Sequence, residues 1–357
     1  MRSNYMIPIS ACIITKNEAE NLKKCLEALR RYPFELVVVD TGSEDNSREV
    51  AAAYTDKVYT FDWVDDFSAA RNFAASRASH NIIFPVDTDE FITKLDWNEL
   101  QTQLLENPKS VGSVKRMDYF ETDGEKHCQV CVIDRIYNRR YYHYTMPIHE
   151  TLAPLTRAPY LSYTAPIEID HVGYLGSGDA LREKAMRDMK LLLKELERDP
   201  GNPYHCFQVA QSYMLMRDSE NALLYFQKAL ERNPDPMADY THILLYNYGH
   251  LLLEQGRAEE AAFLLDYHAY YRDNMDYLCL TGLLYLHQNQ PLKALTEFVD
   301  ALAAPGGDLA DRREPSYYIG YIYELFGKPD IAKTHYRNCG EDYAPAKEAL
   351  ARLSQAQ

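Results

Sequence analysis

Asn81-Ile-Ile-Phe-Pro-Val-Asp-Thr-Asp-Glu90 is an apolar run that ends in three carboxylates. The run predicts a buried strand, and Asp87 and Asp89 lie two residues apart at its end. On an extended backbone, residues i and i+2 share a face. Two carboxylates converging there repel unless a cation sits between them. A divalent ion carrying a phosphate is the natural guest, which points to a nucleoside diphosphate handled at the end of this strand.

Working outward, strand and helix signals alternate. Ile7 to Thr15 is a β-branched run, and Asn17 to Arg31 has helical spacing, with Leu22, Leu26 and Leu29 on one face. Glu35 to Asp40 predicts a short buried strand. A Thr-Gly-Ser turn leads into a helix from Asn46 to Tyr54. Lys57 to Phe61 predicts a further strand and Ser68 to Ser79 an alanine-rich helix. This order predicts a mainly parallel, doubly wound sheet. Ligands of such sheets sit beyond the carboxyl ends of the strands, where Thr15, Asp40 and Asp87 fall. Val111 to Phe120 and Val130 to Asn138 predict later strands. Tyr141 to Tyr174 is rich in Pro, Tyr and Gly and holds His143, His149, Glu150 and His171.

The 357 residues suffice for two domains with separate cores. A net charge of -15 argues against non-specific nucleic-acid binding and against a polybasic membrane anchor, and would suit a basic peptide partner. Seven scattered cysteines, Cys128 and Cys131 being the closest pair, read as reduced thiols. With no apolar stretch long enough to span a bilayer, the expected location is the cytoplasm. Cys12, in a predicted buried strand, is not expected to act as a nucleophile.

From Leu181 the chain reads as helical and repetitive. Pro203 to Pro234 fits a helix-pair template, with Ala210, Tyr213, Ala222, Phe226, Ala229 and Pro234 at its small, aromatic and proline positions. The pattern returns as Gly249, Leu252, Ala261 and Leu265; as Gly282, Tyr285, Ala294, Phe298 and Ala301; and as Gly320, Tyr323, Ala332 and Tyr336. The alanines at 222, 261, 294 and 332 are 39, 33 and 38 residues apart. This second half resembles the tetratricopeptide repeats, whose stacks present a concave binding surface. Many of the 29 tyrosines are expected in its core.

Four elements of the first half now fall in order: Thr15-Lys-Asn-Glu18, Val37-Val-Val-Asp40-Thr-Gly-Ser43, Trp63 to Asn72, and Asp87-Thr-Asp-Glu90. Together they resemble the family 2 glycosyltransferases of the GT-A fold. Phe67-Ser68 through Arg71-Asn72, with Ile148-His149-Glu150, looks like the subgroup fused to tetratricopeptide repeats, which includes peptide S-glycosyltransferases of bacteriocin biosynthesis. The expected domains are a GT-A domain over 1–180, a linker helix over 181–202 and repeats over 203–357.

The resemblance implies a nucleotide-sugar donor, usually linked through uridine diphosphate. It implies donor contacts from Thr15, Asn17, Glu18, Asp40, Arg71, Asp87, Thr88 and Asp89. Asp89 would ligate Mn²⁺ or Mg²⁺, Asp87 would share the metal or touch the ribose, and His171 would be a third ligand. The family generally inverts the anomeric centre and needs a base: Glu150 first, Glu90 second, Asp170 third. The expected acceptor is a peptide or protein side chain recruited by the repeats, and a homodimer is expected. A saccharide acceptor is the alternative within the same chemistry. A repeat scaffold carrying an inactive GT-A domain is the alternative of another class.

Overall fold

The computed structural model describes residues 6–122, 125–174, 178–305, 307 and 309–355. The chain divides into two compact units, 1–191 and 192–357.

The first unit opens with β1 (Ile9–Thr15), α1 (Ala19–Leu29), β2 (Glu35–Asp40), α2 (Ser47–Ala52), β3 (Val58–Thr60), α3 (Phe67–Arg77) and β4 (Ile82–Val86). There follow β5 (Glu90–Leu95), α4 (Trp97–Glu106), β6 (Val111–Thr122), β7 (Glu125–Asn138), β8 (Tyr142–Thr145), β9 (Thr151–Pro154) and β10 (Ser162–Tyr174). Helix α5 (Gly178–Arg198) runs across the division between the units.

Eight strands make one sheet in the order β3-β2-β1-β4-β7-β6-β10-β5, while β8 and β9 pair separately. The first four are parallel, as expected. Beyond β4 the sheet is mixed: β7 is antiparallel to β4 and β6, and β10 runs parallel to β6 and antiparallel to β5.

Both faces of the parallel half are buried, which is why β2 reads as a continuous apolar run rather than an alternating one. Val38 joins Ile13, Leu22 and Leu26 in a core under α1 and α4. Its neighbours Val37 and Val39 join Ala74, Ala75, Tyr137 and Tyr144 on the opposite face, under α3 and the β8–β9 hairpin. Cys12 lies in that second core, and burial pushes its thiol up to about 12. Strands β5, β8, β9 and β10 fall in the stretch where the sequence shows no clean alternation.

The second unit consists of α6 (Pro203–Leu215), α7 (Ser219–Glu231), α8 (Asp239–Glu254), a 3₁₀ segment (Glu260–Tyr267), α9 (His268–Tyr271), α10 (Met275–His287), α11 (Pro291–Ala303), α12 (Glu314–Leu325), α13 (Pro329–Asn338) and α14 (Ala344–Gln355). Ala222, Ala261, Ala294 and Ala332 are all fully buried. Small residues at these places let paired helices approach. At Gly282 even a Cβ would come within 2.7 Å of the Phe298 ring. One position departs from the template. Leu264, not Leu265, is the fully buried partner of Ala261, because a 3₁₀ segment brings i and i+3 into line. Among the described residues no helix is long and apolar enough to cross a membrane.

Candidate active site

Parallel pairing of β1 with β2 and β4 sets their carboxyl ends side by side, with Thr15 opposite Asp40 in register. Asp40 is fully buried. Its carboxylate accepts from the Ser43 amide at 3.0 Å and from Arg48 Nε. Burial would raise its pKa, but these bonds bring it below the usual range. Asp40 thereby shapes the Thr41–Ser43 turn. Asn17, at φ 55°, completes the rim by accepting the Glu44 amide at 2.7 Å, and its own amide donates to Ser43 Oγ at 2.9 Å. The Glu18 amide donates to Ser47 Oγ at 3.1 Å. Thr15 Oγ1 is buried here without a hydrogen-bond partner.

Asp87 to Glu90 is a tight turn, closed by the Glu90 amide donating to the Asp87 carbonyl at 3.1 Å. The turn removes the period-two geometry, so Asp87 and Asp89 do not converge on one point. Thr88, at its centre, is buried.

Asp87 faces arginines. One oxygen accepts from Arg71 Nη2 at 2.7 Å and the other from Arg135 Nη2 at 3.1 Å. Burial works against the carboxylate, yet the two guanidiniums hold it well below the ordinary range. Asp89 instead has Oδ2 3.4 Å from His171 Nε2. The His171 ring is fixed from its far side by Asp118, whose Oδ1 lies 2.8 Å from Nδ1. Burial would depress this imidazole, but Asp118 and Asp89 push it up to about 9.

His171 reaches this position through strand pairing. In β10 it stands opposite Glu90 of β5 on one side and Asp118 of β6 on the other. Next to it, a Cβ at Gly173 would sit 2.2 Å from Asp89 Oδ2 and 2.7 Å from His171 Nε2. Glycine there leaves a space bounded by a carboxylate oxygen and an imidazole nitrogen. Oxygen and imidazole donors suit Mn²⁺, and a carboxylate behind the ring is the usual support for a ligating histidine. Among the described residues no three His, Cys, Asp or Glu groups gather around one point. The donor set therefore fits an ion with two protein ligands that takes the rest from a diphosphate and water.

Glu150 enters from the β8–β9 loop. Its Oε1 accepts from Arg71 Nε at 2.5 Å, so one guanidinium joins Glu150 to Asp87. The loop is tied to the start of α3. Ser68 Oγ donates to the Met146 carbonyl at 2.6 Å and the Phe67 amide to the Pro147 carbonyl at 2.8 Å. Asn72 bonds both backbone groups of Tyr144 at 2.8 and 3.0 Å. The Phe67-to-Asn72 motif is thus a docking element for the Glu150 loop, and Arg71 is its charged member. His149 holds φ 51° in this loop.

Glu90 and Asp170 are placed differently. Glu90 is fully buried and bonded by Arg135 at 2.7 Å and Arg116 at 3.3 Å, which makes it a counter-ion inside the sheet. Asp170 precedes His171 on β10 and so belongs to the opposite face, where it accepts from Tyr119 Oη at 3.3 Å.

Sequence reasoning passed over Arg116, Asp118 and Arg135. Arg116 and Asp118 did leave a signal: opposite charges at i and i+2, on one face of a strand. Two cationic donors at this edge, Arg71 Nη1 and Arg135 Nε, are buried without hydrogen-bond partners.

Residues 10–158 match the model of glycosyl transferase family 2, and residues 206–236 that of the tetratricopeptide repeat. A TPR repeat-containing protein of Synechococcus elongatus is 30% identical over 265 residues, 72% of this chain and 64% of that protein. The SPbeta prophage-derived glycosyltransferase SunS of Bacillus subtilis is 25% identical over 276 residues, 72% of this chain and 62% of that one. The lipopolysaccharide core biosynthesis glycosyltransferase LpsC of Rhizobium meliloti is 33% identical over 103 residues, 28% of this chain and 37% of that one. The chain spans just under two thirds of the length of the first two relatives.

Proposed function

We propose that this chain, whose residues 10–158 match glycosyl transferase family 2 and whose residues 206–236 match the tetratricopeptide repeat, transfers a sugar from a nucleoside diphosphate donor to a peptide or protein side chain, with inversion. Uridine diphosphate is the donor class we favour. The observation that carries the reading is the Asp89–His171 pair beside Gly173, at the strand edge that also holds Asp40 and Arg71.

Thr15, Asn17, Glu18 and Asp40 would receive the base and ribose, the buried Thr15 hydroxyl supplying a hydrogen bond that the protein itself leaves open. The unpartnered N–H groups of Arg71 and Arg135 would take phosphate oxygens. Mn²⁺ or Mg²⁺ held by Asp89 and His171 would stabilise negative charge on the departing diphosphate. Asp87 and Thr88 set the turn that presents Asp89.

Glu150 is our choice of base. It lies within one guanidinium of Asp87, and it would accept the acceptor's proton as the hydroxyl or thiol attacks the anomeric carbon. Glu90 lacks access and Asp170 lies on the other face, so neither is preferred. The likeness to a lipopolysaccharide core glycosyltransferase supports a second reading, the same chemistry on a saccharide acceptor. Work in the cytoplasm and assembly as a homodimer belong to the proposal. Light scattering tests the dimer, and a monomer at micromolar concentration would reject it.

The decisive assay is release of nucleoside diphosphate from a panel of nucleotide sugars, with and without Mn²⁺. Metal-dependent release that Asp89→Ala abolishes is the expected result. No binding of any nucleotide sugar would sink the enzyme reading.

A further inference from the structure

The four first helices of the repeats, α6, α8, α10 and α12, contain no lysine or arginine, yet they carry Asp239, Glu254, Asp276, Glu314 and Glu324. The cations Lys228, Lys293, Lys333 and Arg337 lie on α7, α11 and α13 instead. Repeat stacks bind ligands on an extended concave surface, and here the helices segregated from positive charge also line an open groove.

That groove, about 430 Å³, lies between α6 and α8. Tyr204, Phe207, Tyr240 and Ile243 form its apolar wall, with Gln211 and Asp239 as polar lining. Tyr240 packs on Tyr204 at 5.0 Å and on Phe207 at 5.3 Å between ring centroids, so the wall is held in shape. Three residues on from Ile243, Tyr246 takes the same face of α8. It lies within electrostatic reach of Glu314 and Asp276.

Glu314 is half-buried, and its Oε2 is buried without a hydrogen-bond partner. Burial first, then Asp311 and Asp276, push its carboxyl up to about 7. The adjacent Arg313 is committed to Asp311 and Asp342. Asp276 accepts the Ala310 amide at 2.8 Å. His250 of α8 is pushed down to about 4 by burial and is neutral near pH 7.

We propose that this face of the repeats docks a cationic peptide segment, with an aliphatic or aromatic side chain in the groove and lysine or arginine side chains against Asp239 and Glu314. A carboxylate crowded by like charges gains most from an incoming cation, and a surface of one sign selects partners of the other. The inference rests on the peptide-acceptor reading above and narrows it to a basic segment.

The test is fluorescence anisotropy of the full chain, at about pH 8 so that Glu314 is ionised. Two short labelled peptides serve as probes, one alternating lysine with leucine and the other glutamate with leucine. The lysine peptide should bind and weaken with added salt, and the glutamate peptide should not bind. Asp239→Asn with Glu314→Gln should weaken the lysine peptide about tenfold. Glu220→Gln with Glu231→Gln, on exposed positions of α7, should leave it within about twofold. Equal binding of the two peptides, or equal loss in the two double variants, would overturn the proposal. Donor hydrolysis read on the same samples separates the two ideas. Lysine-peptide binding without donor hydrolysis retains the docking face and removes glycosyl transfer. Hydrolysis without lysine-peptide binding does the reverse.

Discussion

His171 Nε2 stands 3.4 Å from Asp89 Oδ2, although His171 lies on β10 and Asp89 in the turn between β4 and β5, far apart in sequence. The β10–β5 pairing sets His171 opposite Glu90, and the Asp87–Glu90 turn then swings Asp89 toward it. Asp118 holds the ring from behind. Asp87, two residues from Asp89, is committed to Arg71 and Arg135 instead. The proposed donor pocket therefore has an imidazole–carboxylate pair on one side and a cationic pair on the other.

Gly173→Ala tests that pocket. The added Cβ would fall 2.2 Å from Asp89 Oδ2, which is too close for both groups to keep their places. Mn²⁺ affinity, read by the loss of the free-ion electron spin resonance signal on titration, should drop about tenfold or more. Unchanged affinity would remove Asp89 and His171 as the metal pair.

Arg71 is buried and bridges two carboxylates. Arg71→Met leaves Asp87 and Glu150 without that partner, at a cost of about 3 kcal/mol in urea unfolding. The double variant Arg71→Met with Glu150→Gln should recover part of it. Simple additivity of the two single variants would show that the pair is not coupled.

Glu35 is tied to Lys57 Nζ, Ser10 Oγ and the Ser79 amide. Burial opposes its ionisation, but the hydrogen bonds from these groups lower its pKa to about 2. A depressed folded pKa adds stability above the unfolded value near 4.5, and that stability is lost as pH falls toward 2. Glu35→Gln should therefore cost roughly 2 kcal/mol near neutrality and progressively less below about pH 4. A difference independent of pH would refute the network's role.

Glu314 has the opposite sign. Its folded pKa is raised to about 7, so the folded state binds the extra proton and stability falls as pH rises from near 4.5 through 7. Glu314→Gln should raise the melting temperature at about pH 8 and change it little near pH 4.5. Thermal melts at the two pH values decide it; a lower melting temperature at the higher pH would contradict the assignment.

In the repeats, Gly282→Ala places a Cβ within 2.7 to 2.9 Å of the Phe298 ring. Overpacking of this kind costs about 1–3 kcal/mol. Phe298→Leu in the same chain should return part of the loss. A rescue of zero in the double-mutant cycle would mean that the ring is not the obstacle.

Much of this architecture was legible in the residues. The run Leu36 to Val39 announced a strand buried on both faces, and the spacing of Leu22, Leu26 and Leu29 announced the helix over it. The small and aromatic positions of the repeats marked each helix pair, apart from the 3₁₀ segment, where Leu264 took the place expected of Leu265. The site was legible only in part. Asp40, Arg71, Asp89, Glu150 and His171 were named from motifs, but the sequence carried no sign that Asp87 would turn away from Asp89. A turn of four residues breaks the alternation on which that reading relied.

By itself, then, the sequence determined the order of elements, the repeat spacing and which strand ends carry acids. Those features follow from local periodicity and side-chain type. The tertiary structure decided the partner of each charge. Arg135 and Arg116 reach Glu90 from β7 and β6, Asp118 and His171 meet across β6 and β10, and Glu150 arrives on a loop pinned to α3. These pairings depend on non-local strand register, and a shift of one residue in β10 would have turned His171 to the other face.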